Sequence, residues 1–498
     1  MSAAGPNTRR IPGFMIVMKF GGSSVASATA IEWVAGIVKS RREQQPVVVV
    51  SAMGKTTDRL EEMLQHAARG SAYSAWCLFE ELRRFHFQEA KRLLSAGAAR
   101  AIEERIAPKF RELHGLLIDL EEGRRLTPDL QDAILSFGER LSSELVAGAF
   151  ERKGMRTTHV DACDVIVTDD SFTRASPLCW ETYAKLRRTV AFAARDSVVV
   201  MGGFIGATRD GQVTTLGRGG SDLTASLVGA GISAEEIQIW TDVDGVLSCD
   251  PRVLHGGYRL RSMDYDEALE VARLGAKVLH PQTAAPAVRQ GIPITIRNSR
   301  HPDLEGTTVG TRAMRTNGVV KSIACLMNVA VVHLSTRETG LLRGISDGLS
   351  DLFERNQIGV HLVQADAGGM RFTVDHSPQL CELLHDLDSS VAISVEEESA
   401  LVSLIGNGIS STPLVMQRAS AALGSVHVAM ASPESSRSIS FAVPSAEVAV
   451  AVERLHREFF RAPDPEIFAA TPESARRVPV IHTATPGRGL AGMPVTNL

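Results

Sequence analysis

The sequence predicts an α/β protein: a mostly parallel sheet with helices on both faces, a three-layer αβα arrangement, followed by two small ferredoxin-like βαββαβ units. Short, continuous apolar runs carry the first half of that prediction: MIVMKF (15–20), PVVVVSAM (46–53), SVVVMGGF (197–204), IQIWTDVDG (237–245) and IPITIRN (292–298). Each is rich in β-branched residues and separated from the next by helical stretches, the mark of strands buried on both faces. After about 315 a shorter β-α-β-β-α order occurs twice, which predicts an internal duplication. A chain of 498 residues is also too long for one ordinary core.

Taken in order, residues 1–14 read as a flexible polar tail. MIVMKF, then Gly21-Gly22, then a helical pattern through Val38 make strand, turn and helix. Residues 60–155 lack strand signals. There Ile134, Leu141, Leu145 and Phe150 recur at helical spacing, so this stretch is a helical excursion inside one large domain spanning 15–312. The first small unit, 313–396, contains VAVVHLST (329–336), a helix over 344–355, IGVHLVQ (358–364), GMRFTVD (369–375) and a helix over 378–388. The second, 397–470, repeats this with ALVSLIG (400–406), a helix over 413–423, VHVAMAS (426–432), SISFAV (438–443) and a helix over 446–460. Residues 471–498, rich in Pro, Thr, Ala and Arg, read as a second tail.

Composition narrows the function. With 44% hydrophobic and 22% charged residues the chain is globular in character. A net charge of −4 and no polybasic run argue against nucleic acid or a membrane surface as partners. No window approaches the about 18 apolar residues of a membrane span, and the first residues lack a signal-peptide core. The expectation is a cytoplasmic protein acting on small molecules. The six cysteines are scattered without C-x-x-C spacing, which argues against zinc, redox motifs and a disulfide framework.

Four turns follow the carboxyl ends of expected strands, where open α/β sheets bind ligands. KFGGSS (19–24) offers Lys19 as a point charge, and Gly21 and Gly22 let backbone N–H groups approach an anion. SAMGKTTDRL (51–60) is not a P-loop, because that motif needs glycine where Val49 stands; Ser51 and Thr57 remain as polar contacts or helix caps. LGRGGSDLTA (216–225) places Arg218, a planar fork suited to a carboxylate, beside Ser221 and Asp222 at a helix start. WTDVDGVLSCDPR (240–252) lacks EF-hand spacing and reads as a nucleotide loop or an acidic turn. Glu139 in FGERLSS is a solvated helix charge or a ligand for an ammonium. Lys277 in GAKVLHP lies in a small-residue context before His280-Pro281, where a surface lysine is the plain reading.

As an ordered set, KFGGSSV, SAMGKTTDRL, SFGERLSSELVA, TTLGRGGSDLTAS, WTDVDGVLSCDPR and GAKVLHP resemble the aspartate kinases of the amino-acid-kinase superfamily. The tandem units resemble that family's two regulatory ACT domains, and the likeness covers roughly 16–460. It implies transfer of the γ-phosphoryl of MgATP to the side-chain carboxylate of L-aspartate. It further implies that Lys19, Phe20, Gly21 and Gly22 hold phosphates, that Arg218 clamps the aspartate α-carboxylate, and that Glu139 receives its ammonium. Ser51, Thr57 and Ser221 would add polar contacts. Asp222 would organise Lys19 rather than act as a base, since a carboxylate nucleophile has no proton to lose. Thr241, Asp242, Leu247 and Arg252 would border the nucleotide with Lys277 near its phosphates, and Mg2+ would be held by phosphates and water rather than by protein ligands. A homodimer or dimer of dimers, with an amino-acid effector on the ACT units, is the expected assembly.

One departure stands out. Lysine-inhibited members resemble ISVD and TSE where this chain reads IGVH (358–361) and ADAGG (365–369). Gly359 and His361 thus alter the expected effector site, and a mostly neutral imidazole is a poor counter-ion for an ammonium. Weak or absent lysine inhibition is expected. Two other readings stay open: a sister kinase acting on glutamate, N-acetylglutamate or UMP, and a catalytically silent amino-acid sensor.

Overall fold

The computed structural model describes residues 15–471, apart from 124, 276–280, 312–315, 336–348, 350, 351, 357, 366–368, 378, 379 and 386–391. The chain opens with β1 (Ile16–Phe20), α1 (Ala28–Ser40) and β2 (Pro46–Val50). Five helices follow: α2 (Thr56–Ala68), α3 (Ala72–Leu93), α4 (Ala96–Glu121), α5 (Pro128–Leu135) and α6 (Phe137–Arg152). Next come β3 (Thr157–Val160), α7 (Ala162–Val165), α8 (Cys179–Ala193), β4 (Val198–Gly202), β5 (Ile205–Ala207) and β6 (Val213–Thr215). α9 (Gly220–Ile232), β7 (Glu236–Thr241), β8 (Arg259–Leu260), β9 (Ser262–Met263), α10 (Tyr265–Arg273), α11 (Pro281–Gln290), β10 (Ile294–Asn298) and β11 (Thr307–Val309) complete the large domain.

Eight of these strands form one sheet in the order β3-β4-β2-β1-β7-β10-β11-β9. All neighbours from β3 to β10 are parallel, and β11 turns antiparallel on β10. Successive side chains of a strand point to opposite faces, and here both faces are dry. Met18, Phe20, Val48, Val50 and Trp240 pack under α1–α6, while Val17, Val47, Val49, Ile237 and Ile239 pack under α8–α11. The expected three-layer arrangement and helical excursion are therefore both present. The short strands β9 and β11 carried too few residues to signal themselves in the sequence.

The remaining residues form a second, antiparallel sheet. Its strands are β12 (Ser322–Ser335), β13 (Val360–Ala365), β14 (Gly369–Asp375), β15 (Ala392–Ile405), β16 (Met430–Ser435) and β17 (Ser438–Pro444) in the order β13-β14-β12-β15-β17-β16. β18 (Phe468–Ala469) pairs back onto β8 of the large domain. Two long strands run through both small units. In β12, Ser322–Leu326 pairs with Leu401–Ile405, and Val329–Ser335 pairs with the earlier part of β15; the register shifts between them beside Asn328, whose φ is 59°. The expected division at 396/397 falls inside β15, and residues 322–326 share a core with the second unit through Ile323, Val402 and Phe441. VHVAMAS differs too: the strand starts at Met430, not 426. The helix expected over 344–355 falls mostly outside the described residues.

Candidate active site

The site lies at the carboxyl ends of β1, β2 and β4, where the chain leaves the middle of the sheet in opposite directions. A cavity of about 510 Å³ there is lined by Lys19, Gly22, Ser51, Thr57, Glu139, Arg218, Ser221 and Asp222, among others. Seven candidate acceptor-site and catalytic residues, from three of the four turns and the start of α6, are thus brought together with Gly22.

β1 delivers Lys19 and then stops at a one-turn 3-10 helix, Gly22–Val25. The turn is stitched to the next loop: Ser51 N–H donates to Phe20 O (3.1 Å) and Gly54 N–H to Gly22 O (3.1 Å). A Cβ at Gly22 would stand 2.9 Å from the Ala52 carbonyl oxygen, so only glycine allows this approach. The helix start beside Gly21 and Gly22 is this 3-10 turn, not α1. The start of α1 is already satisfied, by Ser27, whose side chain accepts from Ala30 N–H, and by Glu89 of α3, which accepts from Ala28 N–H at 2.5 Å. The 3-10 turn, by contrast, has no side-chain cap.

On the far wall, Gly219 takes the left-handed φ of 73° and launches α9, placing Ser221 and Asp222 in its first turn. Asp222 pairs with Lys19 at 2.7 Å. Ser51 Oγ–H donates to Ser221 Oγ (3.0 Å), and Ser142 Oγ–H fixes the Ser51 carbonyl (2.7 Å). Arg218 projects into solvent at the rim.

Glu139 sits in the first turn of α6 and is 3% exposed. One oxygen accepts from Ala52 N–H at 3.1 Å; the other has no hydrogen-bond partner. Burial pushes its carboxyl up to about 8, against the pull of the Ala52 N–H, its own N–H and the Lys19 charge. An orphaned, desolvated carboxyl beside a cavity is one that a cation would favour ionising.

The residues expected to border a nucleotide divide. Thr241 ends β7 beside the 3-10 turn: its carbonyl accepts from Ser299 N–H (2.8 Å), and Ser24 Oγ–H donates to Ser299 Oγ (3.1 Å). Asp242 is exposed next to it. Phe20 does not face the cavity; its ring is buried and stacked on Trp240, 5.7 Å between centroids. Leu247 and Arg252 sit at the junction with the second sheet. The Leu247 carbonyl accepts from Ser322 Oγ–H (2.8 Å), and Arg252 pairs with Asp250 at 2.6 Å. Gly21 is not among the lining residues, and Lys277 lies outside the described residues.

Several site residues escaped the sequence reading. Asn298 and His301 both reach Asp244, at 2.7 and 2.9 Å, and so extend the loop after β7. Asp132, on α5, is fully buried behind the cavity. No local signal marks it: it lies on α5, a different helix from Glu139, and its partners Thr173 and Thr215 are 41 and 83 residues away.

A glycine turn, a lysine and an arginine lining one cavity, on a three-layer parallel sheet, fit a small-molecule phosphotransferase class. The amino acid kinase family model matches residues 14–298, and an ACT domain model matches 402–459. Over 471 residues the chain is 34% identical to chloroplastic aspartokinase 1 of Arabidopsis thaliana, covering 91% of this chain and 81% of that protein. Lysine-sensitive aspartokinase 3 of Escherichia coli is 30% identical over 460 residues, covering 90% and 99%. The crystal structure of E. coli aspartokinase III with aspartate and ADP superposes with a TM-score of 0.74 at 29% identity, covering 90% of this chain and all of that one. The chain belongs to the aspartokinases of the amino acid kinase family.

In the first ACT unit, His361 meets Asp375 at 2.8 Å, and Asp375 also accepts from Gly359 N–H (2.9 Å). A carboxylate is therefore present beside position 361, but it comes from β14 and is already engaged by protein donors. No helix among the described residues is long and apolar enough to cross a membrane.

Proposed function

We propose that this chain is an ATP-dependent aspartate kinase, transferring the γ-phosphoryl of MgATP to the side-chain carboxylate of L-aspartate to give 4-phospho-L-aspartate and ADP. Buried Glu139, with one oxygen unpartnered across the cavity from Arg218, carries this reading. An α-amino acid offers an ammonium and a carboxylate to two such opposite charges. Acceptor and donor are both anionic, so catalysis is positioning and charge compensation. Arg218 clamps the α-carboxylate and Glu139 the ammonium, leaving the side-chain carboxylate toward Lys19. Lys19, held by Asp222 at 2.7 Å, neutralises charge on the transferring phosphoryl group, with the backbone of the Gly22 turn beside it. No group needs to act as a base.

Thr241 and Asp242 border the nucleotide, and Lys277 remains a proposed phosphate contact. Magnesium comes with the nucleotide, its ligands mainly phosphate oxygens and water because it dehydrates reluctantly; exposed Asp242 is the hard-oxygen group on that side. Leu247 and Arg252 act on the nucleotide only at a distance, through the loop they anchor. The exposed edge strand β13, with Val363 50% exposed, supports a homodimer or dimer of dimers joined through the regulatory sheets. A cytoplasmic location is part of the same proposal.

Steady-state kinetics of Lys19→Met and Arg218→Ala test the division of labour. Lys19→Met loses kcat by about 100-fold or more, whereas Arg218→Ala raises KM for aspartate and leaves KM for MgATP within twofold. A shared effect on both KM values in Arg218→Ala contradicts the assignment.

A further inference from the structure

Behind the acceptor cavity, three donors converge on one buried carboxylate. Asp132 Oδ1 accepts from Thr215 Oγ–H at 2.6 Å, and Oδ2 accepts from Thr215 N–H at 2.9 Å and from Thr173 N–H at 2.8 Å. Asp132 itself is fully buried. Thr173 and Thr215 both line the cavity with Arg218. Thr215 ends β6 three residues before Arg218, and Ala175 N–H donates to the Thr215 carbonyl at 2.8 Å.

Thr173 is unusual in its own right. It holds φ at 70°, a conformation that β-branched residues avoid. Strain of this kind persists only where the surroundings over-determine it, and here the Asp132 carboxylate does so. The strained segment abuts the arginine turn: a Cβ at Gly217 would stand 3.3 Å from Arg174 Cβ and 3.4 Å from the Thr173 carbonyl oxygen. The path is thus Asp132 to Thr173 and Thr215, and from both to Gly217-Arg218.

We infer that Asp132 is a positioning residue for the acceptor amino acid, fixing the 173–175 segment and the end of β6 so that Arg218 meets the α-carboxylate in register. The role requires an acceptor at the Oδ2 position for the two backbone N–H groups. Alanine removes it and leaves both donors unsatisfied, whereas an asparagine keeps it, with its NH2 donating to Thr215 Oγ. Burial pushes the Asp132 carboxyl up, opposed by the bonds from Thr215 and Thr173.

This inference rests on the assignment of Arg218 to the α-carboxylate, and its test separates the two. KM for aspartate, KM for MgATP, kcat and thermal midpoint are measured for Asp132→Ala, Thr215→Val, Thr215→Ser and Arg218→Ala. The expected result for Asp132→Ala is a rise of at least tenfold in KM for aspartate, with KM for MgATP within twofold. Thr215→Val shifts the same constant, and Thr215→Ser, which keeps the hydroxyl, restores it. A lower midpoint with unchanged KM for aspartate, or equal shifts of both KM values, overturns the inference by making Asp132 only a core staple. Should Asp132→Ala fail to fold, the Thr215→Val and Thr215→Ser pair decides alone. Arg218→Ala without effect on KM for aspartate overturns the acceptor-site assignment and this inference with it; an effect there but none in the Asp132 and Thr215 variants overturns this inference only.

Discussion

Replacing Glu139 by glutamine should make the free protein more stable and the enzyme worse. Burial holds the Glu139 carboxyl at about 8 against an ordinary 4.5, so roughly one molecule in ten is ionised there at pH 7. The folded value lies above the unfolded one, so the folded chain binds this proton more tightly. The associated stability is complete below about pH 4.5 and is lost as pH rises to about 8, a loss on the order of 4–5 kcal/mol. Glutamine cannot ionise and escapes it. Aspartate binding reverses the balance, because its ammonium needs the ionised carboxylate; removing one side of a buried charge pair costs about 2–5 kcal/mol. Urea unfolding of the substrate-free protein at pH 5 and pH 8.5, with kcat/KM for aspartate at pH 8, measures both effects. Glu139→Gln should be the more stable protein at pH 8.5 and at least about 30-fold poorer in kcat/KM. Wild-type kcat/KM is expected to climb about tenfold from pH 7 toward 9 as the carboxyl ionises. A variant that keeps kcat/KM within threefold, or is less stable than wild type at pH 8.5, refutes the reasoning.

Three further outcomes follow from the same geometry. Lys321, immediately before β12, and Glu267 of α10 are an ion pair at 2.7 Å, each 1% exposed, and Glu267 also accepts from Asn407 N–H; Lys321→Ala strands a buried charge between the two sheets and should cost about 3–5 kcal/mol in chemical denaturation. His86 is fully buried among aromatic rings, its Nε2 without a partner, and burial lowers it to about 4. Its folded value lies below 6.5, so its stability is present above that pH and lost as pH falls toward 4, on the order of 3 kcal/mol; His86→Leu should flatten the acid side of the stability curve, and an unchanged slope would contradict this. Lysine titration should give weak or no inhibition, because His361 and Asp375 engage each other where an effector ammonium would need a free carboxylate; half-maximal inhibition at low lysine concentration would show otherwise.

The parallel core was legible because its strands are uninterrupted apolar runs, and Val47–Val50 alone leaves no face for water. Lys19, Glu139, Arg218 and Asp222 were legible as charges placed beside glycine turns, their roles only through the ordered set of motifs. What a local pattern cannot carry is pairing between distant segments. Asp132 is an ordinary helix acid until Thr173 and Thr215, 41 and 83 residues away, close on it. The register shift at Leu326/Val329, which lets one strand serve two small units, depends likewise on β15. Phe20, Leu247 and Arg252 were carried along by motif membership, although their neighbours place them in the core or at the junction of the sheets.

The most direct test of the central claim is ADP release from MgATP by the purified chain with L-aspartate, L-glutamate, N-acetyl-L-glutamate or UMP as acceptor. Turnover with aspartate alone, lost in Arg218→Ala, is the predicted result. Turnover that prefers another acceptor, or none at all from a folded protein, would contradict it.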